Sequence, residues 1–239
     1  MVRLECGTVR QVRAIFFDVG GTIVQGAMPW HELYQIALTL SGHPLDLRTM
    51  VERYEVAVER MMADKLTAVS ADAPKARSFN SHVAEAFGVS RERLQMALDE
   101  VLFDHPEARH LVPTEDVATV LAALRLRGYR LGVISNWSAD LPLVLSRLEL
   151  DIHFEAVFAS ESLGYAKPHP AAFLVPLERM GLTPGESAYV GDLYHVDVVG
   201  SREAGLWPVL VDPLELALHD NVATVHRMTE LLTVFPGLQ

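Results

Sequence analysis

Residues 12–24 read VRAIFFDVGGTIV, and this stretch decides how the rest of the chain is interpreted. Val12–Phe17 is short, apolar and rich in residues that favour β-structure, which predicts a buried strand. Asp18 follows directly, and then come Val19, two glycines and a threonine. The stretch therefore predicts a buried strand that delivers one carboxylate to a glycine-rich loop.

Short apolar segments alternate with helical patterns after Pro113. The predicted strands are Arg130–Ser135, Ala156–Ala159, Ser187–Val190 and Trp207–Val211. The predicted helices are one that Thr114 caps and that ends at Gly128, then Ala139–Leu148, Pro170–Met180 and Val196–Ala204. This alternation predicts βαβ units and a parallel sheet with helices on both faces, to which the first strand also belongs. The fold class is therefore predicted to be α/β.

The stretch between the first strand and this alternating region is helical in pattern. Apolar residues recur there at helical spacing, and glycine or serine residues mark the ends of the segments. The predicted helices are Pro29–Leu40, Leu45–Ala63, Pro74–Phe87 with a left-handed cap at Gly88, and Arg91–Phe103 with Ser90 as its N-cap. Four consecutive helices predict a small bundle. We therefore expect residues 1–25 and 108–239 to form the α/β core, and residues 26–107 to form an inserted helical domain.

Charge and composition exclude several classes of protein. The chain has 239 residues, half of them apolar, and 31 acidic against 20 basic residues give a net charge of −11. Nucleic-acid binding depends on clustered Lys and Arg, so no nucleic-acid partner is expected. A single cysteine, Cys6, excludes an internal disulfide and indicates a reducing compartment. With no signal-peptide pattern and no apolar run of membrane length, the sequence predicts a cytoplasmic protein without a membrane partner. The sequence does not indicate an oligomeric state.

Polar side chains follow the predicted strands, at the edge of the sheet where ligands bind in folds of this class. They are Asp18, then Ser135 with Asn136, then Lys167 in a loop, and finally Asp192 followed by Asp197. Carboxylates can share a Mg²⁺ ion, and a carboxylate can also act as a nucleophile. Successive backbone amides near Gly20 and Gly21 can cradle an anion, while Ser135 and Lys167 can contact phosphoryl oxygens.

This arrangement resembles the haloacid dehalogenase superfamily. Four motifs agree in order and spacing: Asp18-x-Gly-Gly-Thr22, Ser135 after a strand, Lys167-Pro168, and Gly191-Asp192-x-x-x-x-Asp197. The resemblance implies a Rossmann-like core with a helical cap domain inserted after the first motif. The residues of the later motifs are most similar to those of the phosphatase-like subgroup. It therefore implies a Mg²⁺-dependent hydrolase that acts on a small phosphorylated metabolite.

The resemblance also implies a role for each matching residue. Asp18 would be the nucleophile, forming an aspartyl-phosphate, and a Mg²⁺ ligand. The backbone carbonyl of Gly20 and the carboxylate of Asp192 would be further ligands, supported by Asp197. The implied substrate contacts come from Gly21, Thr22, Ser135, Asn136 and Lys167, and Ser135 and Lys167 would also take part in catalysis.

The sequence departs from this pattern at Gly20. Phosphatases of this kind usually carry Asp there, which protonates the leaving group and then activates water, and losing such a group costs about 10²–10⁴-fold in rate. One explanation is a hydrolase whose substrate has a good leaving group, or in which a cap residue such as His31 replaces the acid. A second is phosphonate or other carbon–heteroatom cleavage, for which Lys65 or Lys75 would be the Schiff-base lysine. A third is a protein that binds phosphate and Mg²⁺ without catalysis.

Several of these residues also have an ordinary structural interpretation. Asp192 could be the N-cap of the helix that follows it, and Asp197 could serve only the dipole of that helix. Lys167, taken alone, fits a solvated loop. Trp30, Phe79 and Trp137 could line a cleft, although buried aromatic residues are more common in cores.

Overall fold

The computed structural model describes residues 12–67 and 79–238, with only the backbone for 62–67. Cys6 and Lys75 lie outside the described residues, and so does the side chain of Lys65. The strands are β1 (Ala14–Phe17), β2 (Val24–Gly26), β3 (Leu111–Pro113), β4 (Arg130–Ser135), β5 (Ala156–Ala159), β6 (Ser187–Gly191), β7 (Trp207–Val211) and β8 (Ala223–Val225). The helices are α1 (Trp30–Leu40), α2 (Leu47–Thr67), α3 (Phe79–Phe87), α4 (Arg91–Asp104), α5 (Val117–Leu126), α6 (Leu141–Arg147), α7 (Ser160–Leu163), α8 (Ala171–Arg179), α9 (Val199–Glu203) and α10 (Leu231–Val234).

Six strands form one parallel sheet in the order β5-β4-β1-β6-β7-β8. The first strand, β1, lies in the middle, paired with β4 on one side and β6 on the other. Alternate β1 residues enter two separate apolar clusters: Ile15 and Phe17 pack in one, and Ala14 and Phe16 in the other. A strand that is buried on both faces has no polar side to expose, which explains its continuous apolar sequence. The predicted α/β class is confirmed.

The polypeptide separates into two compact units. One comprises Met1–Gln25 and Val112–Gln239, and the other comprises Gly26–Leu111. The second unit contains α1 to α4, the four helices that the sequence predicted between the first strand and the rest. Ser90 caps α4 as predicted by accepting from the Arg93 N–H at 3.3 Å, and Gly88 takes a φ of +74°.

Aromatic side chains pack together inside the helical unit. Trp30 stacks on Tyr54 with ring centroids 4.1 Å apart, and Phe79 meets Tyr54 edge-on at 5.5 Å. Tyr34 contacts Trp30, Tyr54 and Phe87. Offset and edge-on ring pairs of this kind stabilise a core beyond the area they bury. Trp30 and Phe79 therefore belong to the aromatic core of this unit.

Three predictions about local structure are wrong. Thr114 does not cap α5, because its hydroxyl donates to the Thr22 carbonyl at 3.0 Å and Asp116 stands at the helix start instead. The last predicted helix, Val196–Ala204, begins earlier, as a π-helical turn over Tyr194–Val198 that continues into α9. The three-residue strands β2, β3 and β8 were not predicted, since so few residues show no periodicity.

The described residues contain no helix that is both long and apolar enough to cross a bilayer.

The centre of the sheet depends on a glycine. A Cβ at Gly132 would lie 2.7 Å from Cε1 of the buried Phe16 ring, whereas a Cβ at the exposed Gly185 would meet nothing within 4 Å. We expect Gly132→Ala to lower the free energy of unfolding by about 1–3 kcal/mol through overpacking, and Gly185→Ala to change it by less than about 0.5 kcal/mol. Urea unfolding of both variants measures this. Equal midpoints would contradict the predicted packing at Phe16.

Candidate active site

Asp18 lies at the carboxyl end of the central strand. Its N–H donates to the Val190 carbonyl at 2.9 Å, which extends the pairing of β1 with β6 by one residue. The chain then turns sharply, and the N–H groups of residues 22, 23 and 24 approach the Val19 carbonyl at 3.2, 3.0 and 2.9 Å. Asp18 is 6% exposed, so its carboxylate is nearly removed from water. A buried carboxylate requires compensating partners.

Lys167 supplies the compensating charge. Its Nζ lies 2.8 Å from Oδ1 of Asp18 and 2.7 Å from Oδ1 of Asp197, and it donates to the Tyr189 hydroxyl at 2.7 Å. Two of the three donors of this ammonium are hydrogen-bonded, to Asp197 and Tyr189, and its contact with Asp18 is an ion pair. Burial by itself would lower the pKa of Lys167, but the two carboxylates outweigh it and raise the pKa. Lys167 is 2% exposed and is not a solvated loop residue.

The neighbouring strand β4 positions this lysine through Asn136. The Asn136 side chain accepts from the Lys167 N–H at 2.7 Å and donates to the Lys167 carbonyl at 2.9 Å. The amide of Asn136 is therefore engaged with the backbone of Lys167, and the predicted substrate contact of Asn136 stays a prediction. Ser135, the last residue of β4, is 3% exposed, and its role in catalysis and substrate binding also stays a prediction.

Tyr189, which the sequence motifs did not predict as a site residue, is a further partner of Lys167. Its hydroxyl accepts from Lys167 and donates to the Ile134 carbonyl at 2.6 Å, so it joins β6 to β4. A signal was present, because a tyrosine in a fully buried strand must find a partner for its hydroxyl. Burial raises the pKa of Tyr189 well above its usual value, and the nearby carboxylates add to this, so the hydroxyl stays protonated.

Asp192 faces the loop that follows β1. Thr22 donates its hydroxyl to Oδ1 of Asp192 at 3.1 Å. Gly21 has a φ of +79°, and a Cβ there would lie 2.1 Å from Oδ2 of Asp192. Only glycine combines this left-handed backbone with the absence of a side chain. Burial, with repulsion from Asp197 and Asp18, raises the pKa of Asp192 well above its usual value.

Leu193 stands at the N-cap of the turn that carries Asp197, which corrects the alternative that Asp192 is the N-cap. Oδ2 of Asp197 accepts from the Leu193 N–H at 3.0 Å, and Oδ1 contacts Lys167. A Cβ at Gly191 would lie 2.5 Å from Cγ of Asp197, so this glycine makes room for the carboxylate. Burial raises the pKa of Asp197 to about 6, against the opposing effect of Lys167.

The carboxylates of Asp18, Asp192 and Asp197 suit a hard cation. One oxygen of each lies within 4.8 Å of the others. Three carboxylates against the single ammonium of Lys167 leave an excess of two negative charges, and mutual repulsion of this kind raises the pKa of Asp192. Mg²⁺ requires oxygen ligands, and its charge of +2 would compensate for the excess negative charge. The donor set therefore fits Mg²⁺, and the predicted contribution of the Gly20 carbonyl stays a prediction.

The predicted residues do not all meet in one network. Hydrogen bonds and ion pairs connect Asp18, Lys167 and Asp197, join Thr22 to Asp192, and attach Asn136 to Lys167. His31 lies in the helical unit, where burial lowers its pKa. Its predicted role as a substitute acid stays a prediction.

Similar proteins were found at the level of family, sequence and structure. Residues 12–205 match the profile of the haloacid dehalogenase-like hydrolases. The chain is 28% identical to mouse haloacid dehalogenase-like hydrolase domain-containing protein 3, over 95% of this chain and 94% of the mouse protein. It is 29% identical to a glyceraldehyde 3-phosphate phosphatase of Methanothermobacter thermautotrophicus, over 84% and 86% of the two chains. A HAD phosphatase structure from Thermococcus onnurineus superposes with a TM-score of 0.58 at 24% identity, covering 95% and 99%.

Gly21→Ala tests the contact between the glycine loop and Asp192. Gly164→Ala is the matched control, since Gly164 has a φ of +80° and a Cβ there would meet nothing within 4 Å. We expect each alanine to destabilise the protein by about 1–2 kcal/mol through its left-handed backbone. Only Gly21→Ala also displaces the Asp192 carboxylate, so only this variant should lose the stabilisation that Mg²⁺ gives in urea unfolding. An undiminished response to Mg²⁺ in Gly21→Ala would contradict this.

Proposed function

The chain belongs to the haloacid dehalogenase-like hydrolases, and from this we propose that it is a Mg²⁺-dependent phosphatase of a small phosphorylated metabolite. The observation that carries the proposal is the buried contact of Asp18 with Lys167 beside Asp192 and Asp197. A nucleophilic carboxylate, a cation and an acidic metal site are the parts that phosphoryl transfer to a carboxylate requires. The relatives with assigned substrates in their names support the same chemistry, since one is a glyceraldehyde 3-phosphate phosphatase and another a phosphoglycolate phosphatase.

In the proposed reaction, a carboxylate oxygen of Asp18 attacks phosphorus and the bond to the leaving oxygen breaks, which leaves an aspartyl-phosphate. Water then attacks phosphorus, the bond to Asp18 breaks, and phosphate is released. Lys167 is proposed to orient the Asp18 carboxylate for the attack, since its ammonium lies 2.8 Å from Oδ1. The backbone around Gly21 and the hydroxyl of Ser135 are proposed to bind the phosphoryl oxygens.

We propose that Asp18, Asp192 and the carbonyl of Gly20 hold the metal. Mg²⁺ bound there would neutralise the negative charge of the phosphoryl group and of the carboxylates. Both oxygens of Asp197 already accept from Lys167 and Leu193. Its main contribution in this proposal is therefore to hold Lys167 and the turn after Asp192, and direct ligation by Asp197 stays a prediction.

The helical unit Gly26–Leu111 is proposed to be the cap that selects the substrate, because closure of an inserted domain is a common way to exclude water from such chemistry. A cytoplasmic location also belongs to the proposal and rests on the single cysteine in the sequence.

Phosphonate cleavage is less well supported. A Schiff base requires a neutral amine, and Lys167 pairs with two carboxylates that raise its pKa and keep it charged. The other two lysines of the sequence, Lys65 and Lys75, have side chains outside the described residues.

Asp18→Asn is the test of the nucleophile. We expect phosphate release from a panel of aryl, acyl and sugar phosphates to fall by at least about 10³-fold, because loss of a covalent nucleophile acts on this scale. The same change at the exposed Asp104 is the control and should leave the rate within error of the wild type. An active Asp18→Asn variant would contradict the aspartyl-phosphate. Folded wild-type protein that binds phosphate but releases none from any substrate would favour the non-catalytic alternative.

Removal of the metal is a separate test. We expect EDTA to abolish phosphate release and Mg²⁺ to restore it. Saturating Mg²⁺, at about 100 times its dissociation constant, should stabilise the wild type by about 2.7 kcal/mol in urea unfolding. Asp192→Asn should lose most of this stabilisation, because it removes one negative charge from the cluster. Activity that survives EDTA and an unfolding curve insensitive to Mg²⁺ would contradict the metal site.

A further inference from the structure

We propose that the substrates of this chain are acyl phosphates, mixed anhydrides whose carboxylate leaving group departs without a proton. The inference rests on the proposed phosphatase function and adds the class of substrate. Its basis is the surroundings of position 20, where phosphatases of this kind carry the carboxylic acid that protonates the leaving oxygen.

Position 20 faces hydrocarbon and open space. Gly20 is exposed, and a Cβ built on it would meet a single atom within 4 Å among the described residues, Cζ3 of Trp137 at 3.6 Å. That carbon belongs to the six-membered ring of the indole, on the side away from its N–H group. The contact is an ordinary van der Waals distance, so a Cβ fits at this position without strain. The glycine is therefore not required by packing, in contrast to Gly21.

Trp137 is held beside Gly20 by its backbone. Its N–H donates to the Ser135 carbonyl at 2.9 Å, and its own carbonyl accepts from the Glu161 N–H at 3.2 Å and from the Ser160 hydroxyl at 3.3 Å. The indole also packs against the larger apolar cluster of the sheet. A side chain fixed in this way keeps an apolar surface next to the place of the missing acid.

Three donors close to Asp18, on Lys167, Tyr189 and Thr22, already have acceptors. Lys167 forms an ion pair with Asp18 and donates to Asp197 and Tyr189, and the Tyr189 hydroxyl donates to the Ile134 carbonyl. The Thr22 hydroxyl donates to Asp192. A proton given to the leaving oxygen by any of these groups would break a buried hydrogen bond, and leaving a buried partner unsatisfied is unfavourable. The network around Asp18 therefore stabilises the carboxylate and does not deliver a proton.

Without an acid, the first step depends on the stability of the departing anion. Asp18 forms a bond to phosphorus, the bond from phosphorus to the leaving oxygen breaks, and that oxygen keeps the electron pair and no proton. A carboxylate is the anion of an acid with a pKa of about 4. A sugar or glycerol alkoxide is far more basic, nearer to hydroxide, because an alcohol is a much weaker acid than a carboxylic acid. Acyl phosphates are therefore the metabolites whose cleavage suffers least from Gly20.

The second step, hydrolysis of the aspartyl-phosphate, is also slowed because position 20 is a glycine. Water attacks the aspartyl-phosphate, the bond between phosphorus and Asp18 breaks, and the proton of the water passes to the phosphate or to solvent. The usual acid would act as the base in this step, and position 20 offers none. The aspartyl-phosphate therefore accumulates when the leaving group is good.

The experiment is a leaving-group series on wild-type protein with Mg²⁺. The substrates are aryl phosphates with phenols of graded acidity, acetyl phosphate and glycerol phosphate, and kcat/KM is plotted on a logarithmic scale against the pKa of the leaving group. We expect a steep fall with rising pKa and a stoichiometric burst of nitrophenol from 4-nitrophenyl phosphate.

Two variants at position 20 form a matched pair. Gly20→Asp restores the acid, and we expect it to raise kcat/KM for glycerol phosphate by about 10²–10⁴-fold, to flatten the plot and to remove the burst. Gly20→Asn has the same shape without the acid and should keep the steep plot. Unfolding curves confirm that both variants are folded.

Different results in the leaving-group plots or in the burst would contradict different parts of the proposal. A flat wild-type plot overturns the inference, and a plot that becomes steep only in His31→Asn identifies His31 as the acid instead. Identical steep plots for Gly20→Asp and the wild type overturn the assignment to position 20, and the absence of a burst overturns slow hydrolysis. In all these cases phosphate is still released, so the proposed function stands. No release from any substrate, acetyl phosphate included, overturns the proposed function itself.

Discussion

A buried ammonium among buried carboxylates is the interaction on which the rest of this structure depends. Lys167 lies between Asp18 and Asp197 at 2.8 and 2.7 Å, in a region from which water is nearly excluded. Desolvated carboxylates repel one another strongly, and removing one partner of such a cluster is expected to cost several kcal/mol. The surrounding elements position this cluster. Asn136 hydrogen-bonds to the backbone of Lys167, and the Tyr189 hydroxyl accepts a hydrogen bond from its ammonium. Asp197 lies in the turn Tyr194–Val198.

Charge balance also connects the stability of the site to its chemistry. The lysine compensates for one of three carboxylates, and the pKa of Asp192 is raised by burial first and then by repulsion from Asp197 and Asp18. A divalent cation would remove this repulsion, so the same residues that strain the free site would favour the loaded one. The proposed metal binding, the orientation of Asp18 and the charge of Lys167 would for this reason belong to one electrostatic arrangement, and a change at any of its members is expected to alter the others.

The glycines around the site differ in what they do. Gly21 and Gly191 are required by space, because a Cβ would lie 2.1 Å from Oδ2 of Asp192 in the first case and 2.5 Å from Cγ of Asp197 in the second. Gly20 has an ordinary contact at 3.6 Å and needs no glycine for packing. Adjacent glycines in one loop can therefore differ: Gly21 makes room for the Asp192 carboxylate, whereas packing does not require a glycine at position 20.

The sequence by itself determined the central strand, the alternation of strands and helices, the inserted helices and the motif residues, because each depends on local periodicity and on short-range order. It did not determine which partner each polar side chain would choose. From the sequence, Thr114 and Asp192 both fit helix caps. In the structure, the Thr114 hydroxyl donates to the Thr22 carbonyl, and the Asp192 carboxylate accepts from the Thr22 hydroxyl. Tyr189 and Trp137 acquired their positions beside Lys167 and Gly20 only through tertiary contacts. The physical reason is that hydrogen bonds and ion pairs between distant segments depend on distance and burial, which only the packed sheet decides.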